Sequence, residues 1–158
     1  MRKTLFVGAV AGFTGACAMQ AFRSAWNGYY ADAPQHRVFG LDEEADLKSV
    51  DFLTILAVNR VLPEQQSRQV ALALHYLYGV LAGVGYAVAA EKLPLARYGY
   101  GTFFGSALWI FGDELPVTLT KLSDPFTRTI RSHASAVAAH LLFGVATEVV
   151  RSAQRRYL

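Results

Sequence analysis

The chain has 158 residues, of which 53% are hydrophobic and 17% charged, with a formal net charge of +3. That length bounds it to one domain. A charged share well under the roughly 25% of water-soluble domains, together with a positive mean hydropathy, points to lipid rather than water as the solvent. The bases stand at segment ends rather than in a groove-like cluster, which argues against nucleic acid as a partner. The single cysteine, Cys17, excludes an internal disulfide and a cysteine-rich metal site.

A helix rises ~1.5 Å per residue, so about 20 apolar residues cross a hydrocarbon core of ~30 Å. The first span, over residues 4–26, rests on the uncharged run from Thr4 to Phe22. Met1-Arg2-Lys3 ahead of that run also fits a secretory signal, and TGAC ending at Cys17 resembles a lipoprotein cleavage site. Gly8 and Gly12 make a packing motif that a cleaved peptide does not need, so the segment is expected to stay as a helix. The extramembrane loop, residues 27–68, is too long to be structureless. Within it SVDFLTILAVNRVL, from Ser49, places Phe52, Ile55, Leu56 and Leu62 near helical spacing, interrupted by Asn59, as in an amphipathic helix on the membrane surface or over the bundle mouth. Pro63 suits the first turn of the helix that follows.

The second span, 69–92, rests on the uncharged run from Gln69 to Ala90. KLPLARYG, with Pro94 and Gly99, reads as a tight turn into a third span over 98–120, and a fourth covers 130–152. The last two carry Asp113, Glu114 and Glu148, and reach spanning length when those acids face protein or the interface. The expected fold is therefore all-α: one integral domain over 1–158, a four-transmembrane-helix bundle with an amphipathic helix in its first loop. Arg2, Lys3, Lys92, Arg97, Arg151, Arg155 and Arg156 are packed into short segments and favour both termini in the cytoplasm.

Small residues recur at four-residue spacing in Gly8 and Gly12, Gly79 and Gly83, and Gly101 and Gly105, as helices that approach closely in lipid require. HYLYGVLAG from His75 and HLLFGVATE from His140 repeat one pattern, and Gly12 and Gly105 occupy matching places in the helices before them. In a four-span chain such halves form two parallel helix-pair repeats, with His75 and His140 at similar depth. At ~100° per residue, Tyr86 lies ~20° around the helix from His75, His133 ~20° from His140, and Glu148 ~80° from His140. Glu148 is also spaced to pair with Arg151 on the helix surface.

HYLYGVLAGVGYAVAAE (from His75), GTFFGSALWIFGDELP (from Gly101) and HLLFGVATEVVRSAQRR (from His140) resemble the YagU-type family of bacterial inner-membrane proteins, a family without an assigned activity. The resemblance implies a small helical inner-membrane protein in which His75, Tyr86, Glu91, His140, Glu148 and Arg151 fall on recurring polar positions. Asp113-Glu114 departs from the histidine associated with that helix.

Three functions stay open. A non-enzymatic protein could hold a proton-sensitive network drawn from His75, Tyr86, Glu91, Asp113, Glu114, His133, His140 and Glu148, or serve as a small subunit of a membrane assembly. A redox subunit could hold haem b between His75 and His140, with Gly79 and Gly144 making room for the porphyrin. A bundle metal enzyme could use Glu91, Asp113, Glu114, His140 and Glu148, although the Glu-x-x-His spacing of carboxylate-bridged sites is absent. Each histidine taken alone would also serve by hydrogen-bonding a neighbouring helix. The expectation is the first, with no cofactor, no enzymatic activity, membrane lipid as the partner, and a homo-oligomer or larger membrane complex as the assembled state.

Overall fold

The computed structural model describes residues 1–29, 62–114 and 130–157. Within these the chain is helical, without strands: α1 (Arg2–Tyr29), α2 (Glu64–Lys92), a 3-10 segment (Pro94–Gly101), α3 (Thr102–Leu108) continued by a π turn (Trp109–Glu114), and α4 (Ile130–Tyr157). Three helices are long and apolar enough to cross a membrane, over Arg2–Trp26, Glu64–Lys92 and His133–Tyr157. The expected amphipathic helix, and the second half of the expected third span, lie outside the described residues.

Helix α2 begins at Glu64, about a turn ahead of the span read from sequence, because Arg68 pairs with Glu64 at 2.9 Å on an exposed face. Residues 64–68 are thus helix rather than loop. Pro63 stands just outside the first turn, with φ −56° and ψ 144°, and its carbonyl accepts the amides of Gln66 and Ser67. Glu64 at the start and Lys92 at the end match the helix dipole.

Helix α1 packs along both α2 and α4, and α3 packs along α4. The first crossing is made by glycines. A Cβ built on Gly8 would lie 2.7 Å from the Gly83 carbonyl oxygen, and one on Gly12 would lie 2.7 Å from the Gly83 Cα. On the α3–α4 side, Gly101 lies against Gly144 and Gly105 against the backbone of His140 and Leu141. Under the sequence repeat Gly105 corresponds to Gly12, which meets Gly79 and Gly83; Gly105 instead meets His140, Leu141 and Gly144, about one turn earlier on its partner helix. The two crossings therefore share a device but differ by a turn in register.

Gly15 brings α1 onto α4, where Phe143 and Thr147 fill the space a side chain would need. Ala16, Met19, Ala139 and Phe143 form a buried cluster, with Phe22, Tyr76, Phe104 and Leu108 packed on it. Large apolar side chains also face outward, among them Phe6, Phe13, Leu77, Leu81 and Val149. Helices apolar both inside and out are what a bilayer, rather than water, accommodates.

The turn from α2 into α3 reverses the chain through three successive residues at positive φ: Gly99 (61°), Tyr100 (55°) and Gly101 (90°). Glycine adopts this region freely, whereas Tyr100 carries a Cβ into it at a penalty. Thr102 Oγ1 donates to the Gly99 carbonyl at 2.9 Å and steadies the bend.

Candidate functional site

The most elaborate polar arrangement among the described residues is built around Glu148. Helical spacing puts Arg151 and Ser152 three and four residues on, along the face that Glu148 turns inward. Arg151 donates from Nε to Glu148 Oε2 at 2.6 Å and from Nη2 to Oε1 at 2.8 Å, the two-pronged geometry that suits guanidinium and carboxylate. Ser152 Oγ donates to Oε1 at 2.8 Å. From α2, the Tyr86 hydroxyl donates to Oε2 at 2.7 Å. Each carboxylate oxygen thus accepts two hydrogen bonds. Glu148 and Arg151 are 7% and 5% exposed, so the pair read as a surface contact is an interior one. Burying two charges is tolerable here because they neutralise each other and the carboxylate is fully satisfied. The Tyr86 ring, 1% exposed, stacks on Phe104 at 4.4 Å between centroids, which fixes the direction of its hydroxyl.

About one turn further along α4, Arg155 pairs with Glu91 at the end of α2, and Thr4 Oγ1 at the start of α1 donates to the same carboxylate at 2.8 Å. These contacts tie the beginning of α1 and the ends of α2 and α4 to one end of the bundle. An open cleft of about 540 Å³ lies beside them, lined by Ala90, Glu91, Arg97, Arg151, Ser152 and Arg155.

The histidines sit elsewhere. His75 Nε2 faces the Ala16 carbonyl of α1 at 3.4 Å, and His140 Nδ1 faces the Ala136 carbonyl on its own helix at 2.9 Å. A carbonyl can only accept, so His140 carries its hydrogen on Nδ1 in this contact. Tyr86 lies level with Glu148, and Gly79 with Phe143, so the parallel helices α2 and α4 hold His75 and His140 within about a turn of one another in height. Glu148 is bonded to Tyr86, Arg151 and Ser152 and not to a histidine. Of the set expected to form one His and carboxylate network, Tyr86 meets Glu148, Glu91 meets Thr4 and Arg155, and His75 and His140 each face a main-chain carbonyl. His133 stands in the first turn of α4. Asp113 and Glu114 close the π turn, and their side chains lie outside the described residues.

The notches assigned to a porphyrin are occupied by protein. A Cβ on Gly79 would lie 2.6 Å from Ala16 Cβ, and one on Gly144 would lie 2.9 Å from the Gly105 amide nitrogen. Among the described residues no group of three His, Cys, Asp or Glu is placed to hold a metal ion.

Of the residues in the two clusters and the cleft beside them, Thr4, Arg97, Ser152 and Arg155 are missing from the candidates read from sequence. Ser152 and Arg155 were open to the same reading as Arg151, being four and seven residues beyond Glu148 on one side of the helix; Thr4 meets Glu91 of α2, and Arg97 joins the cleft lining, through the fold alone. No family model, curated protein or solved structure matches the chain.

Proposed function

We propose that this chain is a small, non-enzymatic, four-pass protein of the bacterial inner membrane, of the YagU type, in which His75 and His140 make the helix packing proton-linked. The four-pass reading draws support from helix direction. Both α2 and α4 run opposite to α1, as Thr4 meeting Glu91, Arg155 meeting Glu91 and Gly15 meeting Phe143 indicate, so α4 begins at the end of the bundle away from the end of α2. Helix α3 starts that return antiparallel to α4, with Gly101 at Gly144 and Gly105 at His140. Arg2, Lys3, Lys92, Arg97, Arg155 and Arg156 are exposed at or beside the end that holds both termini, which favours the cytoplasm for that end. Arg151 leaves this count because it is buried. The polar positions implied by the family resemblance include Tyr86, Glu91, Glu148 and Arg151, all of them members of the two clusters. The glycine pairs serve as the close-packing motifs of the two helix-pair repeats.

The observation that carries the function is the placement of each histidine at a glycine crossing. His75 reaches the Ala16 carbonyl beside Gly12 and Gly79, and the main chain of His140 is the surface on which Gly105 rests. Histidine is the side chain whose charge changes between about pH 5 and 8. Charging either ring inside an apolar bundle is unfavourable, and charging both within about a turn of each other adds repulsion. The α1–α2 and α3–α4 crossings loosen as protons bind. The Glu148 cluster, already neutral as a unit, is the fixed clamp at the other end of the same helices.

Thermal unfolding of the detergent-solubilised protein across about pH 5 to 8 tests this. The wild type should lose stability toward the acid end, and His75→Gln with His140→Gln should flatten the profile. Glu148→Gln should lower the whole curve without changing its shape. A profile untouched by the histidine substitutions removes the proposal, and a Soret band in the purified protein replaces it with the haem reading.

A further inference from the structure

We infer that the cleft at the end holding both termini is a binding site for a phosphate group. Its lining is unusual for a protein of this composition: Arg97, Arg151 and Arg155 contribute three guanidinium groups to a space of about 540 Å³. The two carboxylates at hand are already engaged, Glu148 by Arg151 and Glu91 by Arg155 and Thr4. One positive charge is left over. It belongs to Arg97, whose side chain is exposed and has no hydrogen-bond or ion-pair partner among the described residues.

The three arginines differ in how firmly they are held, and the difference suits an oxyanion. Arg151, which lines the cleft, is 5% exposed and fixed through Nε and Nη2, which leaves Nη1 without a bond to Glu148. Arg155 and Glu91 are 47% and 33% exposed in their side chains, so this pair can reopen to a ligand at small penalty. Arg97 sits on the 3-10 segment, two residues ahead of the bend at Gly99, Tyr100 and Gly101, and so reaches the cleft lining from a different element than Arg151 and Arg155. A tetrahedral phosphate presents several oxygens in different directions and can take guanidinium forks from both walls, whereas a single carboxylate offers one edge. The site stands where the helices end, at the level of lipid headgroups if the long apolar helices span a bilayer, and it is open to the aqueous side. The phosphate could thus come from a lipid headgroup or from a soluble phosphate compound. This assignment stands on the cleft alone and does not depend on the proton-linked reading of the histidines.

The test uses the full chain in an uncharged maltoside detergent. Inorganic phosphate is titrated at constant ionic strength, so that general screening is held fixed, and thermal unfolding is followed. In parallel, the protein is placed in nanodiscs of phosphatidylcholine alone or of equal parts phosphatidylcholine and phosphatidylglycerol. A rise in unfolding temperature with inorganic phosphate identifies a soluble source, and a rise confined to phosphatidylglycerol identifies a lipid source; both support the site. Arg97→Gln should weaken the effective arm by about tenfold, the worth of one charge-assisted hydrogen bond, while leaving the unfolding temperature in detergent without phosphate unchanged. Lys92→Gln, at the same end but outside the cleft, should bind as the wild type does. No rise in either arm overturns the assignment, and so does an equal loss in Arg97→Gln and Lys92→Gln, which would mean diffuse surface charge.

Discussion

Gly83 and Gly85 lie two residues apart on α2, and replacing each by alanine separates the intrinsic effect of a methyl group from its steric effect. Both substitutions bring the same gain in helix propensity, up to ~1 kcal/mol. At Gly85 nothing lies within 4 Å of the new Cβ, so that gain stands alone. At Gly83 the Cβ would lie 2.6 Å from the Gly12 nitrogen, about 0.8 Å short of ordinary contact at 3.4 Å, and the Gly12 Cα and Gly8 carbonyl are closer still. All three are backbone atoms and cannot swing aside, so α1 and α2 must part. A gap of ~0.5–1 Å forfeits a quarter to a half of each dispersion contact along the crossing, and overfilled interiors typically lose about 1–3 kcal/mol. The difference between the two variants is therefore about 1–3 kcal/mol, or roughly 2–12 °C in unfolding temperature at ~2–4 °C per kcal/mol. Differential scanning fluorimetry in one detergent, with both variants side by side, measures it. Equal unfolding temperatures would refute the argument that the Gly8, Gly12 and Gly83 backbones are in contact.

Tyr86→Phe removes a 2.7 Å hydrogen bond to Glu148 but keeps the ring on Phe104, so it should destabilise by about 0.6–1.7 kcal/mol, the range found for polar contacts between membrane helices; a neutral outcome in chemical denaturation would show that the hydroxyl is not engaged. Glu148→Gln strands the buried Arg151 and should lose more, about 3–5 kcal/mol, with Glu148→Gln/Arg151→Met recovering part of it. Tyr100→Gly should be more stable than Tyr100→Ala by about 1 kcal/mol, since both lose the ring and glycine alone fits φ 55° freely; equal stability would place the bend elsewhere. Reporter fusions after Leu158 and near Asp42 should report the cytoplasm and the exterior respectively, and the same side for both would defeat the four-pass topology.

The long uncharged runs of α1 and α2 were legible because crossing a membrane demands a length and a composition, and both are local properties. The four-residue spacing of Gly8 and Gly12, and of Gly79 and Gly83, is local in the same way, because it marks one helix face. Which partner fills a face is not local. Glu148 and His140 share a side of α4 by spacing, yet the groups that reach the carboxylate are Tyr86 from another helix and Arg151 and Ser152 from beyond it. Thr4 and Glu91 are 87 residues apart in sequence, and nothing in either stretch names the other. The π turn at Trp109–Glu114 was hidden because apolar periodicity does not distinguish a widened turn from a regular one. His75 and His140 stand within about a turn of one another in height, and the repeated motif does not carry the one-turn slip between the crossings beside them, which depends on how α1 and α3 settle on their partners.

The order in which the Glu148 cluster is synthesised bears on how the chain enters lipid. Its two charged members, Glu148 and Arg151, belong to one helix and lie within a single turn, so they can meet before any other helix is present. If the long apolar helices span a bilayer, α4 enters it as a segment without net charge at that point, at far less penalty than two isolated ions. The member made earliest, Tyr86, is uncharged, and α2 can wait in the bilayer with nothing more than a phenol to shelter. Closing this cluster then needs no transfer of an unpaired charge through hydrocarbon, since α4 brings both ions together and α2 adds only a phenol.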